Sequence, residues 1–244
     1  MTLEIALVIV GALIIIVGLA AGITSLWLMA KYFRFNRKEN SLGLTGTEMA
    51  RKILDDNGLE HIKVKRTGSI LFGNSYSHYF KKVRLRGLIR HETSLTSMGM
   101  GAQKAALAIL DKEGDADMKK RIRLVPLVTF GPFAFIPLIL VGAVLDYFVF
   151  SGNGTCTLVL GAFGFLFYVY AVVLSVLTLK TEKKAQNRAY DILKQDYHIT
   201  DDELTALKEL FRLYNIQYIN DIILSSLELL YTILEIAIAV KGDT

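Results

Sequence analysis

SLTSMGMGAQKAALA, Ser94 to Ala108, is the stretch on which the reading of the fold depends. Gly99, Gly101, Ala102, Ala105, Ala106 and Ala108 crowd a helix-patterned segment and keep its surface thin. Other backbones can then approach closely, at some cost in helix propensity. The segment lies in the middle of the one sizeable polar portion of the chain, so it predicts an interior helix over 94–113 around which that portion folds.

Outward from it the chain becomes apolar. With 244 residues, 52% of them hydrophobic, and a mean hydropathy of +0.41, the composition exceeds that of an ordinary globular domain and predicts an integral membrane protein. Residues before Lys31 contain no Lys or Arg, and the run Ile5 to Ala30 is long enough to span a bilayer, so it reads as a retained anchor over 1–30. Lys31, Arg34, Arg37 and Lys38 follow at once and place the next portion, 31–121, in the cytoplasm with the N-terminus outside. A second apolar segment over 122–150 holds Pro126, Pro132 and Pro137 and predicts a kinked span. The uncharged turn after it carries the sequon Asn153, Gly154, Thr155, and a third span covers 156–179. Lys180, Lys183 and Lys184 return the chain to the cytoplasm for a helical segment over 180–217, leaving 218–240 as a fourth span or a membrane-associated helix. Apart from Lys241, every Lys and Arg lies between Lys31 and Arg123 or between Lys180 and Arg212. The net charge of +5 follows this topology, and no charge run calls for nucleic acid. The single Cys156 excludes an intramolecular disulfide. The expected class is a mainly α, polytopic protein of the cell membrane with about four transmembrane helices.

Local signals fill in the polar portion. Thr45 with Glu48 forms a capping box ahead of the stripe Met49, Ile53 and Leu54, and Gly58 ends that helix. Between His61 and Arg86 the pattern alternates, with Gly68, Gly73 and Asn74 as turn signals, which predicts a small, partly antiparallel sheet. Thr200 with Glu203 forms a second capping box that opens a long final helix. Along it Tyr218, Asp221, Ser225, Glu228, Thr232 and Glu235 recur at helical spacing as one polar seam. A carboxylate at the bilayer centre costs ~2.5–3.5 kcal/mol. Its three acids are therefore expected to face a bundle interior, a water-filled space or a basic partner rather than lipid.

Several blocks together resemble one family. The segment Ser94 to Ala108 resembles the active-site helix of the YugP-type neutral zinc metallopeptidases, membrane-anchored bacterial proteins whose helix reads His-Glu-x-x-His-Ala. LGLTGTEMARKILDDNGL, Leu42 to Leu59, is similar to the pattern after that family's first span. Ser77, His78 and Tyr79 resemble its edge strand, and TLKTEKKAQNRA, with Glu182, resembles the segment that supplies its third zinc ligand. The resemblance implies a small α+β, gluzincin-like cytoplasmic domain.

At the most diagnostic point this chain departs. Gln103, Lys104 and Leu107 stand where the family has ligand, general base and ligand. A catalytic zinc needs imidazoles at i and i+4 with a carboxylate beside the first. HETSL at His91 and Glu92 does not supply them, because its fifth residue is Leu95. The expectation is a catalytically inactive pseudopeptidase, not an enzyme, without zinc or another cofactor, in which Lys104 and Gln103 approach Glu182. It would bind a polypeptide by strand addition at Ser77, His78 and Tyr79, or regulate a membrane partner such as an active homologous peptidase. Besides the lipid bilayer the expected partner is thus a protein or peptide. The alternatives are an active membrane zinc metallopeptidase with non-standard ligands, and a transporter or channel component using the acidic seam.

Overall fold

The computed structural model describes residues 2–67, 73–128, 131–150, 152 and 154–242. Gly68 of the expected turn and Asn153 of the sequon lie outside them. The elements in order are α1 (Leu3–Asn36), α2 (Gly46–Asp56), β1 (Lys63–Arg66), β2 (Ser75–Ser77), β3 (Lys82–Leu85), α3 (Gly87–His91), α4 (Leu95–Glu113), α5 (Ala116–Val128), α6 (Gly131–Phe148), α7 (Thr155–Gln195) and α8 (Asp201–Gly242). The chain divides into two units, one of Ala21–Lys120 with Leu179–Ile219, the other of Met1–Ala20, Arg121–Thr178 and Asn220–Thr244.

The first unit is built around α4. Every residue from Leu95 to Leu110 is buried, as the small side chains anticipate. A Cβ on Gly101 would overlap the carbonyl of Gly46, and one on Gly99 would overlap the end of the Leu207 side chain, so α4 touches the start of α2 backbone to backbone and has α8 directly beside it. Met49, Ile53 and Leu54 of α2 join Leu107, Leu193 and Leu207 in the fully buried core. The capping box forms: the Thr45 N–H donates to Glu48 Oε2 at 2.8 Å and the Glu48 N–H to Thr45 Oγ1 at 3.2 Å. At the other end of α4, Gly114 takes the left-handed φ of 73° that closes the helix.

The sheet has the order β1-β3-β2. β1 is parallel to β3, with Val64 opposite Val83, and β2 is antiparallel to it, with Tyr76 opposite Val83. The expected partly antiparallel sheet is present, and β2 has a strand neighbour on one side only among the described strands.

In the second unit, large apolar side chains point outward. Leu19 is 65% exposed and Leu158 74%, a surface that water would penalise and lipid would not. α1 and α7 are the two helices long and apolar enough to cross a membrane among the described residues, with mean hydropathies of 2.9 and 2.2 over their most apolar windows. A shorter apolar helix covers Pro137–Phe148. Of the kinked span expected over 122–150, the described residues are helical through Val128, as α5, and over Gly131–Phe148, as α6, with Pro137 inside α6. Asp146 on α6 fixes the next turn by accepting from the N–H groups of Cys156 (2.9 Å) and Thr157 (2.7 Å) and from Thr157 Oγ1 (2.7 Å). It thereby satisfies orphan donors at the start of α7.

α7 does not stop where its apolar run ends. It continues to Gln195 because Ala185, Ala189, Ile192 and Leu193 give the polar half a buried stripe of its own. No Gly or Pro occurs between Gly164 and Gly242. The break before α8 is made instead by His198, at a left-handed φ of 51°, and by the Thr200 and Glu203 cap.

Candidate functional site

α4 and α7 bring together three of the residues singled out by the family resemblance. Gln103 Nε2 donates to Glu182 Oε2 at 2.9 Å, and Lys104 Nζ donates to the same oxygen at 2.7 Å. All three are buried, with exposures of 4% for Gln103, 7% for Lys104 and 6% for Glu182. Such a carboxylate is tolerable only when paired and hydrogen-bonded, and here an ammonium and an amide do both. Leu107, one turn on from Gln103, is fully buried. His91 and Glu92 are exposed at the end of α3.

A second set of charges flanks the first. Lys180, Lys184 and Arg188 recur every four residues on α7 and meet acids at the end of α4 and the start of α5. Lys184 Nζ lies 2.7 Å from Asp115 Oδ2 and 2.6 Å from Asp117 Oδ2, Lys180 Nζ 3.3 Å from Asp117 Oδ1, and Arg188 2.8 Å from Glu113 Oε1. Hydrogen bonds to the two aspartates raise the Lys184 pKa above its ordinary value. Burial pushes the Asp115 carboxyl up, but Lys184 and the N–H groups of Met118 and Asp117 more than offset it, and its pKa is lowered. Asp117 is lowered chiefly by the hydrogen bond from Lys184.

The sheet edge is tied to the same helix. β2 ends at Ser77, and His78 and Tyr79 lie in the turn that follows. Asp111 of α4 receives the Tyr76 hydroxyl and the His78 Nδ1–H on one oxygen, each at 2.6 Å, with Lys81 Nζ at 3.8 Å. Burial and the Asp111 carboxylate push the Tyr76 hydroxyl pKa far above its ordinary value. Lys81 closes the turn at a left-handed φ of 45°. Tyr79 and Phe80 are left 58% and 67% exposed, so the tip of this edge presents aromatic surface.

The seam of α8 lies in the other unit from Asp221 onward. The Tyr168 hydroxyl of α7 donates toward the Ser225 carbonyl oxygen at 3.1 Å and lies 3.2 Å from Glu228 Oε2, and Thr232 Oγ1 bonds the Glu228 carbonyl at 3.0 Å. Asp221 and Glu235 are exposed.

Sequence reasoning missed Asp111, Tyr76 and the acids of the α7 ladder. A signal existed for the ladder, since cations four apart on a helix mark one charged face. None existed for Asp111, whose partners are 33 and 35 residues away.

The profile of the family described as "Putative neutral zinc metallopeptidase" matches residues 8–237. The chain is also 26% identical over 222 residues, 89% of this chain and 94% of the relative, to the "Putative membrane protease YugP" of Bacillus subtilis (strain 168). No solved structure matches. These matches correct two expectations. The absence of a His-Glu-x-x-His segment leads to the expectation of no enzyme and no zinc, whereas the family and the relative are described as peptidases and the family as one of zinc. One motif, read alone, was given more weight than the rest of the chain. The side chains at this position nevertheless do not fit the metal: an amide, an ammonium and one carboxylate do not make a zinc donor set, and the ammonium already holds the carboxylate. Matched from its first helix nearly to the end of its last, the chain belongs to the family described as "Putative neutral zinc metallopeptidase".

Proposed function

We propose that this protein is a multi-span membrane member of its family that receives an extended polypeptide along the outer edge of β2. The observation that carries this reading is the construction of that edge. β2, with a strand neighbour on one side only among the described strands, ends at Ser77, and the turn that carries His78 and Tyr79 is anchored through Asp111 to the helix bearing Gln103 and Lys104. Free strand edges take up peptides through backbone hydrogen bonds, and exposed Tyr79 and Phe80 add apolar contact.

The membrane arrangement in this proposal has four spans: α1, α6 with the end of α5, the apolar half of α7, and α8 from about Tyr218. The small sheet with α2, α3 and α4 forms a gluzincin-like domain on the cytoplasmic side, and the N-terminus lies outside. Support comes from the confinement of every Lys and Arg but Lys241 to two stretches of the chain. The contact of Tyr168 with the Ser225 and Glu228 region supports α8 lying beside α7 along this stretch, while Asp221, Glu228 and Glu235 are exposed.

The test uses the full chain in detergent and fluorescently labelled peptides from an unfolded casein. Binding is expected to be saturable and to weaken about tenfold or more on Tyr79→Ala with Phe80→Ala, a loss of about 1.4 kcal/mol or more, while Lys194→Gln leaves it unchanged. Absence of binding, or equal binding by the edge variant, would sink the proposal. A second reading, peptide-bond cleavage with zinc donors drawn from outside Gln103 to Leu107, is favoured by the family match itself. Zinc content and casein cleavage by the same preparation test it directly.

A further inference from the structure

Between the polar half of α7 and the first half of α8, within the first unit, lies a groove of about 660 Å³ that the proposed function does not use. Lys183 stands on one wall, Lys208 and Arg212 on the other. Gln186 and Asn215 line it through a part-buried polar contact in which Asn215 Nδ2 donates to Gln186 Oε1 at 2.7 Å. Ile216 and Ile219 line it further along α8.

The cations of α7 divide sharply. Lys180, Lys184 and Arg188 are each matched to a carboxylate. Lys183 and Arg212 are exposed and have no ion pair among the described residues, and Lys208 rests over the Tyr190 ring at 4.5 Å. Asp191 also lines the groove, so three positive charges face one negative charge there. An uncompensated field of this kind attracts a polyvalent or phosphate-bearing anion.

Chain order supplies the second constraint. Lys183 comes four residues after Leu179, the end of the apolar run of α7, and Ile219 comes three residues before Ile222, where the apolar sequence of α8 resumes after Asn220 and Asp221. Basic groups immediately beyond a membrane span meet the anionic headgroups of the cytoplasmic leaflet. We infer that this groove binds the headgroup of an anionic phospholipid, its phosphate between Lys183, Lys208 and Arg212 and its hydroxyl-bearing end toward Asp191. A phosphatidylglycerol headgroup has that chemistry. Phosphatidylcholine would place a quaternary ammonium among the same cations.

Native mass spectrometry of the full chain, released from detergent micelles doped with equal amounts of phosphatidylglycerol and phosphatidylcholine of the same acyl chains, tests the assignment. Phosphatidylglycerol is expected to be retained at least tenfold over phosphatidylcholine. Each of Lys183→Gln, Lys208→Gln and Arg212→Gln should weaken retention roughly fivefold, the worth of one cation near a membrane surface. The exposed Lys194→Gln should not weaken it, and circular dichroism of the surface variants should match the parent. Equal retention of both lipids, or undiminished retention by the triple variant, would overturn the assignment. Thermal protection by inorganic phosphate as strong as that by phosphatidylglycerol at the same concentration would also overturn it, by assigning the groove to a free anion.

Discussion

Replacing Lys104 with Met isolates the energetic role of the cluster between α4 and α7. Met matches the length of the Lys stem and removes its charge. Glu182, at 6% exposure, then keeps the Gln103 amide on the same oxygen but loses the ammonium. At 2.7 Å and an effective dielectric of ~20, the lost Coulomb attraction is ~6 kcal/mol. The ammonium is also spared its burial, so the net cost falls to the ~3–5 kcal/mol typical of breaking one side of a buried pair. For a chain of this size that corresponds to a fall in Tm of roughly 6–20 °C. Thermal unfolding of the full chain in detergent, followed by circular dichroism, measures it. The double variant Lys104→Met with Glu182→Leu should recover most of the loss, because the buried carboxylate that the ammonium balanced is then removed with it. A shift of the single variant below about 1 kcal/mol, or a double variant less stable than the single one, would refute the reasoning, since either requires Glu182 to be solvated or paired elsewhere.

Gly101→Ala is expected to destabilise by about 1–3 kcal/mol, because the new methyl meets the Gly46 backbone. Gly99→Ala should be near neutral, since only the flexible end of Leu207 must yield and the helix gains propensity; denaturant titration distinguishes the two. The cluster of Lys184 with Asp115 and Asp117 predicts a definite pH response. Both aspartates have lowered pKa values, so their stabilisation is present above the unfolded value of ~3.9 and disappears as pH falls through the lower folded values. The raised Lys184 value makes its share complete below ~10.4 and lost as pH climbs through the folded value. Profiles of Tm against pH should therefore flatten at the acid end in Lys184→Met. Glu203 accepts from Ser41 N at 2.7 Å, Ser41 Oγ at 2.6 Å and Thr200 N at 3.1 Å. Glu203→Ala should cost about 1–3 kcal/mol in the same unfolding assay.

Features that depend on near neighbours could be read from the residues in order. The two capping boxes need partners only three residues apart. The apolar runs of α1 and α7 declare themselves by length, and the small residues from Gly99 to Ala108 announce a buried helix because nothing else repays their poor propensity. The adjacency of Gln103, Lys104 and Glu182 was also anticipated, although through likeness to a family rather than through any local rule.

Tertiary structure alone decided what crosses long separations. In the sequence Lys184 is one of three lysines that follow the third apolar run, yet folding carries Asp115 and Asp117 to it and makes it the centre of an ion cluster. His78 looked like part of a peptide-binding edge, and only the chain's return along α4 supplies Asp111 to orient it. Lys180 and Lys183 are alike as residues, and which of them is neutralised depends on the face of α7 each occupies. The physical reason is common to all three. Helix and strand formation are governed by neighbours a few residues away, whereas the environment of a charge is set by whichever distant segment burial brings within a few ångströms.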